Sequence, residues 1–169
     1  MRLLELFSGT GSIGTVFKEY GWEVVSLDRD MPADINSDIM DWDYRNSPYP
    51  LKHFDVIWAS PPCTEYSKAK TRGVRKLDEA NTVVKQTLEI LNYFQPTIYF
   101  IENPQTGLLK NQPFMDELPY NDADYCKYGI MVCPTESGLA CGTTASTSYR
   151  RSAGTVSYTH LTLPTKRIV

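Results

Sequence analysis

The chain lacks any apolar run approaching the length of a membrane-spanning helix, which argues against a transmembrane anchor. It lacks a secretory signal pattern too, because Glu5 and the Ser8-Gly9-Thr10-Gly11 stretch interrupt the opening apolar residues at once. A cytoplasmic protein is the expectation. Cysteine is scarce, and Cys63, Cys126, Cys133 and Cys141 form no Cys-x-x-Cys pair, so a zinc site is a poor reading and no metal is expected. In a reducing compartment each is by default a small buried hydrophobe, and only Cys63 has surroundings that suggest more. A basic excess is missing as well. The net charge of −3 argues weakly against a nucleic-acid partner. Yet Lys68, Lys70, Arg72, Arg75 and Lys76 crowd one short segment, and local charge matters more than the total when a groove meets phosphates.

What is present fits one α/β domain, since 169 residues are too few for two ordinary ones. Leu3 to Phe7 reads as a short buried strand. A helix follows, with apolar Ile13, Val16 and Phe17 at helical spacing, and Gly21 stands at its expected C-terminal cap. Trp22 to Leu27 reads as a second strand, ending at Asp28, and Ala33 to Ile35 as a short third. His53 to Ala59 reads as a fourth, stopped by Ser60-Pro61-Pro62-Cys63. Asp78 suits the N-cap of a helix running to about Phe94, with Val84, Leu88 and Leu91 on one face. Thr97 to Ile101 reads as a fifth strand, and Ala123 to Lys127 as a sixth. Strands alternating with helices imply a mostly parallel sheet wound by right-handed crossovers. Ligands of such sheets sit outside the carboxyl ends of the strands, where three polar motifs of this chain recur.

The first motif is Phe7-Ser8-Gly9-Thr10-Gly11-Ser12-Ile13-Gly14. Its glycines let the backbone turn sharply and let a ligand approach the main chain, although a lone glycine-rich turn is often only a tight turn. Asp28 lies close to the roughly 20-residue offset expected of an acid that binds ribose hydroxyls, and equally reads as a solvated loop acid. The second is Ser60-Pro61-Pro62-Cys63. Two prolines fix the chain and aim the next side chain outward, so Cys63 is either an exposed nucleophile or a structural cysteine in a proline turn. The third is Glu102-Asn103-Pro104. An acid ending an apolar strand is partly desolvated and can hold or donate a proton, or it is the acid of a helix N-terminus beginning at Pro104.

Taken in order, Phe-x-Gly-x-Gly, Pro-Pro-Cys and Glu-Asn-Pro resemble the motifs of cytosine-5 DNA methyltransferases, over about Met1 to Gly129. The resemblance implies a Rossmann-like, S-adenosylmethionine-dependent methyltransferase fold, incomplete at the C-terminus, in a monomeric bacterial or phage-encoded enzyme. By it, Phe7, Ser8, Gly9, Thr10 and Gly11 would cradle S-adenosylmethionine. Asp28 would hold the ribose, Arg29 would lie beside the adenine, and Asp38 and Ile39 would meet the adenine edge. Pro61 and Val83 would touch the cofactor as well. Residues 64–76 would form a mobile catalytic loop whose basic side chains close over double-stranded DNA. Cys63 would be the nucleophile and Glu102 would act at ring nitrogen 3 of a cytosine flipped out of the duplex.

The pattern breaks after Tyr125-Cys126-Lys127-Tyr128-Gly129, where the family expects an arginine-rich strand and a target-recognition region. Residues 130–169 are rich in Thr, Ser and Gly and read as an aberrant or disordered tail. From Met131 to Thr144, a reading frame shifted by two bases can encode Gly-Met-Pro-Tyr-Arg-Lys-Arg-Thr-Arg-Leu-Trp-Asn-Asn, which resembles the missing motif. Val156 to Thr165 resembles a translated sequencing adapter, so His160 and Arg150 receive no role. Other readings are an amino-methylating DNA enzyme, against which Cys63 argues, a tRNA-directed relative, and a catalytically dead cofactor-binding fragment.

Overall fold

The computed structural model describes residues 1–119, together with the short strands at 121–123 and 156–158. Five parallel strands form the main sheet: β1 (Arg2–Leu6), β2 (Glu23–Asp28), β3 (Ile35–Asn36), β4 (Val56–Ala59) and β5 (Ile98–Ile101). Their spatial order is β3-β2-β1-β4-β5. The order reverses between β1 and β4, which opens a crevice at their carboxyl ends. Leu3 pairs with Val24 on one side and Val56 on the other, and Ala59 stands opposite Ile101.

Two helices lie on opposite faces of this sheet. Alternation along β1 sends Leu4 and Leu6 to one face and Leu3 and Glu5 to the other. On the first, the buried Val84, Ile90, Leu91 and Phe94 of α2 (Leu77–Phe94) meet Leu4, Leu6, Ile57 and Ile101. On the second, Ile13 and Phe17 of α1 (Ser12–Glu19) pack with Leu3, Val56 and Trp58. All four residues of β4 are buried, as expected of a central strand covered on both sides.

Several boundaries differ from the sequence reading, each for a local reason. Residues 53–55 precede β4 rather than belong to it. His53 closes a turn onto the Pro50 carbonyl, and only the Asp55 backbone joins its neighbours, bonding to Arg2 and Ile98. The strand β2 starts one residue after Trp22, β3 lies at Ile35–Asn36 rather than 33–35, and β5 starts at Ile98. Helix α2 is capped at Lys76, not Asp78. The Lys76 N–H is held by the Glu65 carboxylate at 2.8 Å and its carbonyl accepts from Ala80, which leaves Asp78 and Glu79 in the first turn, where their charge suits the positive end of the helix. Tyr20 caps α1, and Gly21 follows it with φ +77°, the left-handed turn that glycine adopts without strain. Val16 is 49% exposed: α1 buries only the stripe carrying Ile13 and Phe17.

A second sheet of three short strands has the order β6 (Asn103–Pro104), β8 (Val156–Tyr158) and β7 (Asn121–Ala123), all antiparallel. Pro104 therefore begins no helix. A short strand, β7, lies at 121–123, and the expected sixth strand at 123–127 falls, beyond Ala123, outside the described residues. A tail without regular structure was expected from 130 onward. Three of its residues nonetheless form β8, where Val and Tyr suit an extended backbone. The rest of that expectation, from 130 to 155 and from 159 to 169, lies outside the described residues.

Candidate active site

The turn after β1 is built around left-handed backbone at three of five positions. Phe7 has φ +60°, Gly9 +52° and Gly11 +70°. For a bulky residue such as Phe7 this conformation costs of order 1–3 kcal/mol, and such outliers cluster at functional sites. The turn is pinned from two sides. Gly9 N–H donates to Asp28 Oδ2 at 2.8 Å, and the Ser8 N–H reaches the Leu27 carbonyl. From beneath, Glu5 accepts from Gly14 N–H at 3.0 Å and from Ile13, so a buried carboxyl caps the N-terminus of α1. Sequence reasoning passed over Glu5, although a single acid inside an apolar strand was the available signal.

Asp28 binds its own loop through both oxygens. Oδ1 accepts from the N–H groups of Asp30 and Met31, both at 2.8 Å, and Oδ2 from Gly9. Burial pushes its carboxyl up, but the bonds from Gly9, Met31 and Asp30 and the charge of Arg29 outweigh that and leave it below the usual range. A carboxylate has about four acceptor sites, so room remains on Oδ2 for one more donor. Arg29 bridges Asp30 and Asp38, at 2.9 and 3.1 Å, which ties the end of β2 to the turn after β3. The Ile39 side chain is 3% exposed and belongs to the core, and its carbonyl accepts from Gln86.

The β4 and β5 ends form the other half of the crevice. Glu102 N–H donates to the Ala59 carbonyl at 2.8 Å, so Ser60 and Glu102 leave the sheet side by side. Burial raises the Glu102 carboxyl above the ordinary glutamate range, against a smaller opposing pull from a hydrogen bond to Ser60. Asn103, 4% exposed, donates from Nδ2 to the Pro61 carbonyl at 3.0 Å and so ties Glu-Asn-Pro to Pro-Pro-Cys. Its side chain had no assigned role in the sequence reading, because that contact spans 42 residues. Cys63 is half-buried and its thiol is free, while its carbonyl accepts from Tyr66 and Ser67. Pro61 and Val83 line one shallow cleft with Pro62 and Ala80.

The loop at 64–76 makes several bonds to itself and to α2. Tyr66 is fully buried and donates to Asn81 Oδ1 at 2.9 Å; Asn81 in turn donates to Gln112. Of the five clustered cations, Lys70 pairs with Glu65 at 2.6 Å and Lys76 pairs with Glu79 at 3.0 Å. Arg75 donates to the carbonyls of Glu65, Ser67 and Lys70. Lys70 and Arg75 therefore bond within the loop, whereas Lys76 pairs with Glu79 at the solvent-exposed start of α2. Lys68, Arg72 and Lys76 are exposed, and of these only Lys76 is ion-paired, while Val74 beside them is 88% exposed.

The pattern of the C-5 cytosine-specific DNA methylase family matches residues 1–113. The chain belongs to that family. It is 36% identical over 141 residues to the probable DNA (cytosine-5)-methyltransferase of Frog virus 3 (isolate Goorha), covering 76% of this chain and 64% of that relative. Among solved structures it is similar to a DNA modification methyltransferase candidate encoded within an E. coli prophage. The TM-score is 0.56 at 16% identity, over 77% of this chain and 43% of the other, a likeness of fold alone. The chain thus spans less than two-thirds of the length of the viral relative and of the solved structure it resembles. The α/β methyltransferase-like fold expected from the motif order is the one observed. Among the described residues no helix is long and apolar enough to cross a membrane, and no cluster of three or more His, Cys, Asp or Glu stands ready to hold a metal ion.

Proposed function

We propose that this chain carries the cofactor-binding and nucleophile-bearing part of an enzyme that transfers a methyl group from S-adenosylmethionine to carbon 5 of cytosine in double-stranded DNA. The observation that carries the reading is the tie between the two catalytic motifs: Asn103 clamps Pro61, beside a free Cys63 and a desolvated Glu102. The cofactor half fits as well. A Cβ at Gly9 or Gly11 would meet nothing within 4 Å, so both glycines border open space, and Asp28 has an acceptor site left for a ribose hydroxyl. Phe7, Ser8 and Thr10 complete that turn. Arg29, Asp38 and the main chain of Ile39 would border the adenine, and Pro61 and Val83 would close the cleft. When bound, S-adenosylmethionine supplies an electrophilic methyl group.

Carbon 5 of cytosine is too poor a nucleophile to accept that methyl directly. The Cys63 thiolate would add to carbon 6, making carbon 5 an enamine carbon. Glu102, kept protonated more readily than an ordinary glutamate, would hold a proton at ring nitrogen 3, where charge develops. Once carbon 5 has taken up the methyl group and become tetrahedral, a base would remove the carbon-5 proton, the 5,6 double bond would re-form and the thiolate would leave carbon 6. The cytosine must first be flipped from the stack. Lys68 and Arg72 are the loop cations free to meet backbone phosphate.

Two measurements test this. Isothermal calorimetry of the 169-residue chain should show S-adenosylmethionine binding that Gly11→Val abolishes, because a branched side chain is strained at φ +70° and fills the open space. Covalent trapping on 5-fluorocytosine DNA should require Cys63 and vanish in Cys63→Ser. The trapping arm uses the gene read in the shifted frame from Met131, a frame that can encode an arginine-rich stretch; methyl transfer is not expected from the 169-residue chain itself. Trapping that persists in Cys63→Ser would overturn the nucleophile assignment.

A further inference from the structure

We propose that Tyr66, Asn81, Gln112 and Leu108 form one closed hydrogen-bonded circuit that positions the turn carrying Cys63. The inference rests on the reading of Cys63 as the nucleophile. Tyr66 N–H and Ser67 N–H both donate to the Cys63 carbonyl, at 3.0 and 2.9 Å, so the place of Cys63 depends on the place of Tyr66. Tyr66 is held in turn at its hydroxyl and at its carbonyl. The hydroxyl donates to Asn81 Oδ1 at 2.9 Å, and Asn81 Nδ2 donates to Gln112 Oε1 at 3.0 Å. Gln112 Nε2 donates to the Leu108 carbonyl at 3.1 Å, and Leu108 N–H donates to the Tyr66 carbonyl at 2.9 Å. The circuit closes on the residue where it began. Each member donates once and accepts once within it, so donation runs one way around. The two side-chain amides each give and receive a bond, the arrangement in which successive bonds strengthen one another.

Tyr66 is fully buried, so its hydroxyl has no solvent to replace Asn81. Gly107 lets the stretch after Glu102 come close enough to close the circuit. A Cβ there would stand 2.9 Å from the Pro104 carbonyl oxygen, 3.4 Å from Asn103 Oδ1 and 3.6 Å from the Tyr66 carbonyl oxygen. From the same stretch, Asn103 donates to the Pro61 carbonyl. The Cys63 turn is thus gripped on both sides, at Pro61 and at Tyr66, by residues 103–112, which directly follow Glu102. The grip keeps the thiol and the acid in fixed relation, because the chain that carries one holds the other.

The test is amide hydrogen exchange in the 169-residue chain, read by NMR, which needs no DNA and no cofactor. Gln112→Ala removes two bonds of the circuit and lies outside the Cys63 turn. It should speed exchange at Tyr66 and Ser67 about tenfold and leave the α2 amide of Leu91 unchanged. Tyr66→Phe keeps the buried ring, removes one bond and should give a similar rise; it carries the test alone if Gln112→Ala fails to fold. The Cys63 carbonyl carbon, identified by its absence from Cys63→Ser, should shift in both variants. The double variant should exchange no faster than the faster single one, although Tyr66 bonds to Asn81 and not to Gln112. Unchanged exchange at Tyr66 and Ser67, an equal rise at Leu91, or a rise of about a hundredfold in the double variant would overturn the circuit. Coupled exchange in a protein that never traps 5-fluorocytosine DNA would keep the circuit and defeat the nucleophile reading.

Discussion

Gly14 offers the sharpest check on how the glycine-rich turn is held. It lies inside α1, where glycine is a poor helix former, so Gly14→Ala should by propensity alone stabilise the chain by about 1 kcal/mol. Tertiary contacts predict the opposite. A Cβ at that position would stand 2.5 Å from Glu5 Oε2 and 3.0 Å from Val24 Cγ1. Glu5 is 3% exposed and has little room to retreat, and moving it breaks its 3.0 Å bond from Gly14 N–H. A buried acceptor stripped of its donor costs about 1–3 kcal/mol, and overpacking against Val24 costs a similar amount. After the helix gain is deducted, Gly14→Ala should destabilise by about 2–3 kcal/mol, equivalent to a fall in Tm of roughly 10 °C. Thermal and urea unfolding followed by circular dichroism would measure it. In a Glu5→Ala background the same change should lose most of its cost, because the chief obstruction is gone. A rise in Tm for Gly14→Ala alone, or an equal cost in both backgrounds, would refute the reasoning.

Stability should also depend on pH in two opposed ways. Glu5 and Glu102 are held above their ordinary 4.5, chiefly by burial, so the folded chain keeps protons that the unfolded chain would release. Their contribution is therefore full below pH 4.5 and is lost as pH rises through the folded values. Asp28 lies below its ordinary 3.8, so its contribution is present above that value and disappears as pH falls through the folded one. Glu5→Gln should flatten the decline on the alkaline side and Asp28→Asn the decline on the acid side, in urea midpoints taken across pH 2.5 to 8; unchanged slopes would count against these assignments. Tyr66→Phe should cost about 1 kcal/mol and speed tryptic cleavage after Arg72, because the loop loses its anchor to Asn81. An unchanged cleavage rate would show that the anchor is unimportant. Asn103→Ala leaves the Pro61 carbonyl without its donor, at a cost of about 1–3 kcal/mol, and should alter the rate of Cys63 alkylation. Equal alkylation rates would mean that the clamp does not govern the thiol.

The sequence by itself determined the α/β class, the order of the motifs and their placement at strand ends. Those features are local: Leu3 to Phe7 reads as buried strand whatever it pairs with, and Gly9, Gly11 and the two prolines before Cys63 restrict their own backbone. It also contained the signals for Asp28, Cys63 and Glu102. Ile39 shows where local pattern stops. An isoleucine after an acid looks the same whether its side chain meets a ligand or the core, and packing sent it to the core. The cations of residues 68–76 looked alike in sequence. Only the fold brought Glu65 and three loop carbonyls within reach of Lys70 and Arg75, and left Lys68 and Arg72 to solvent. Glu5 under Gly14 and Asn103 on Pro61 are likewise contacts made against the sheet or between its strand ends. The second depends on strand register and on which neighbour each strand has, and neither quantity is written in any one stretch of the chain.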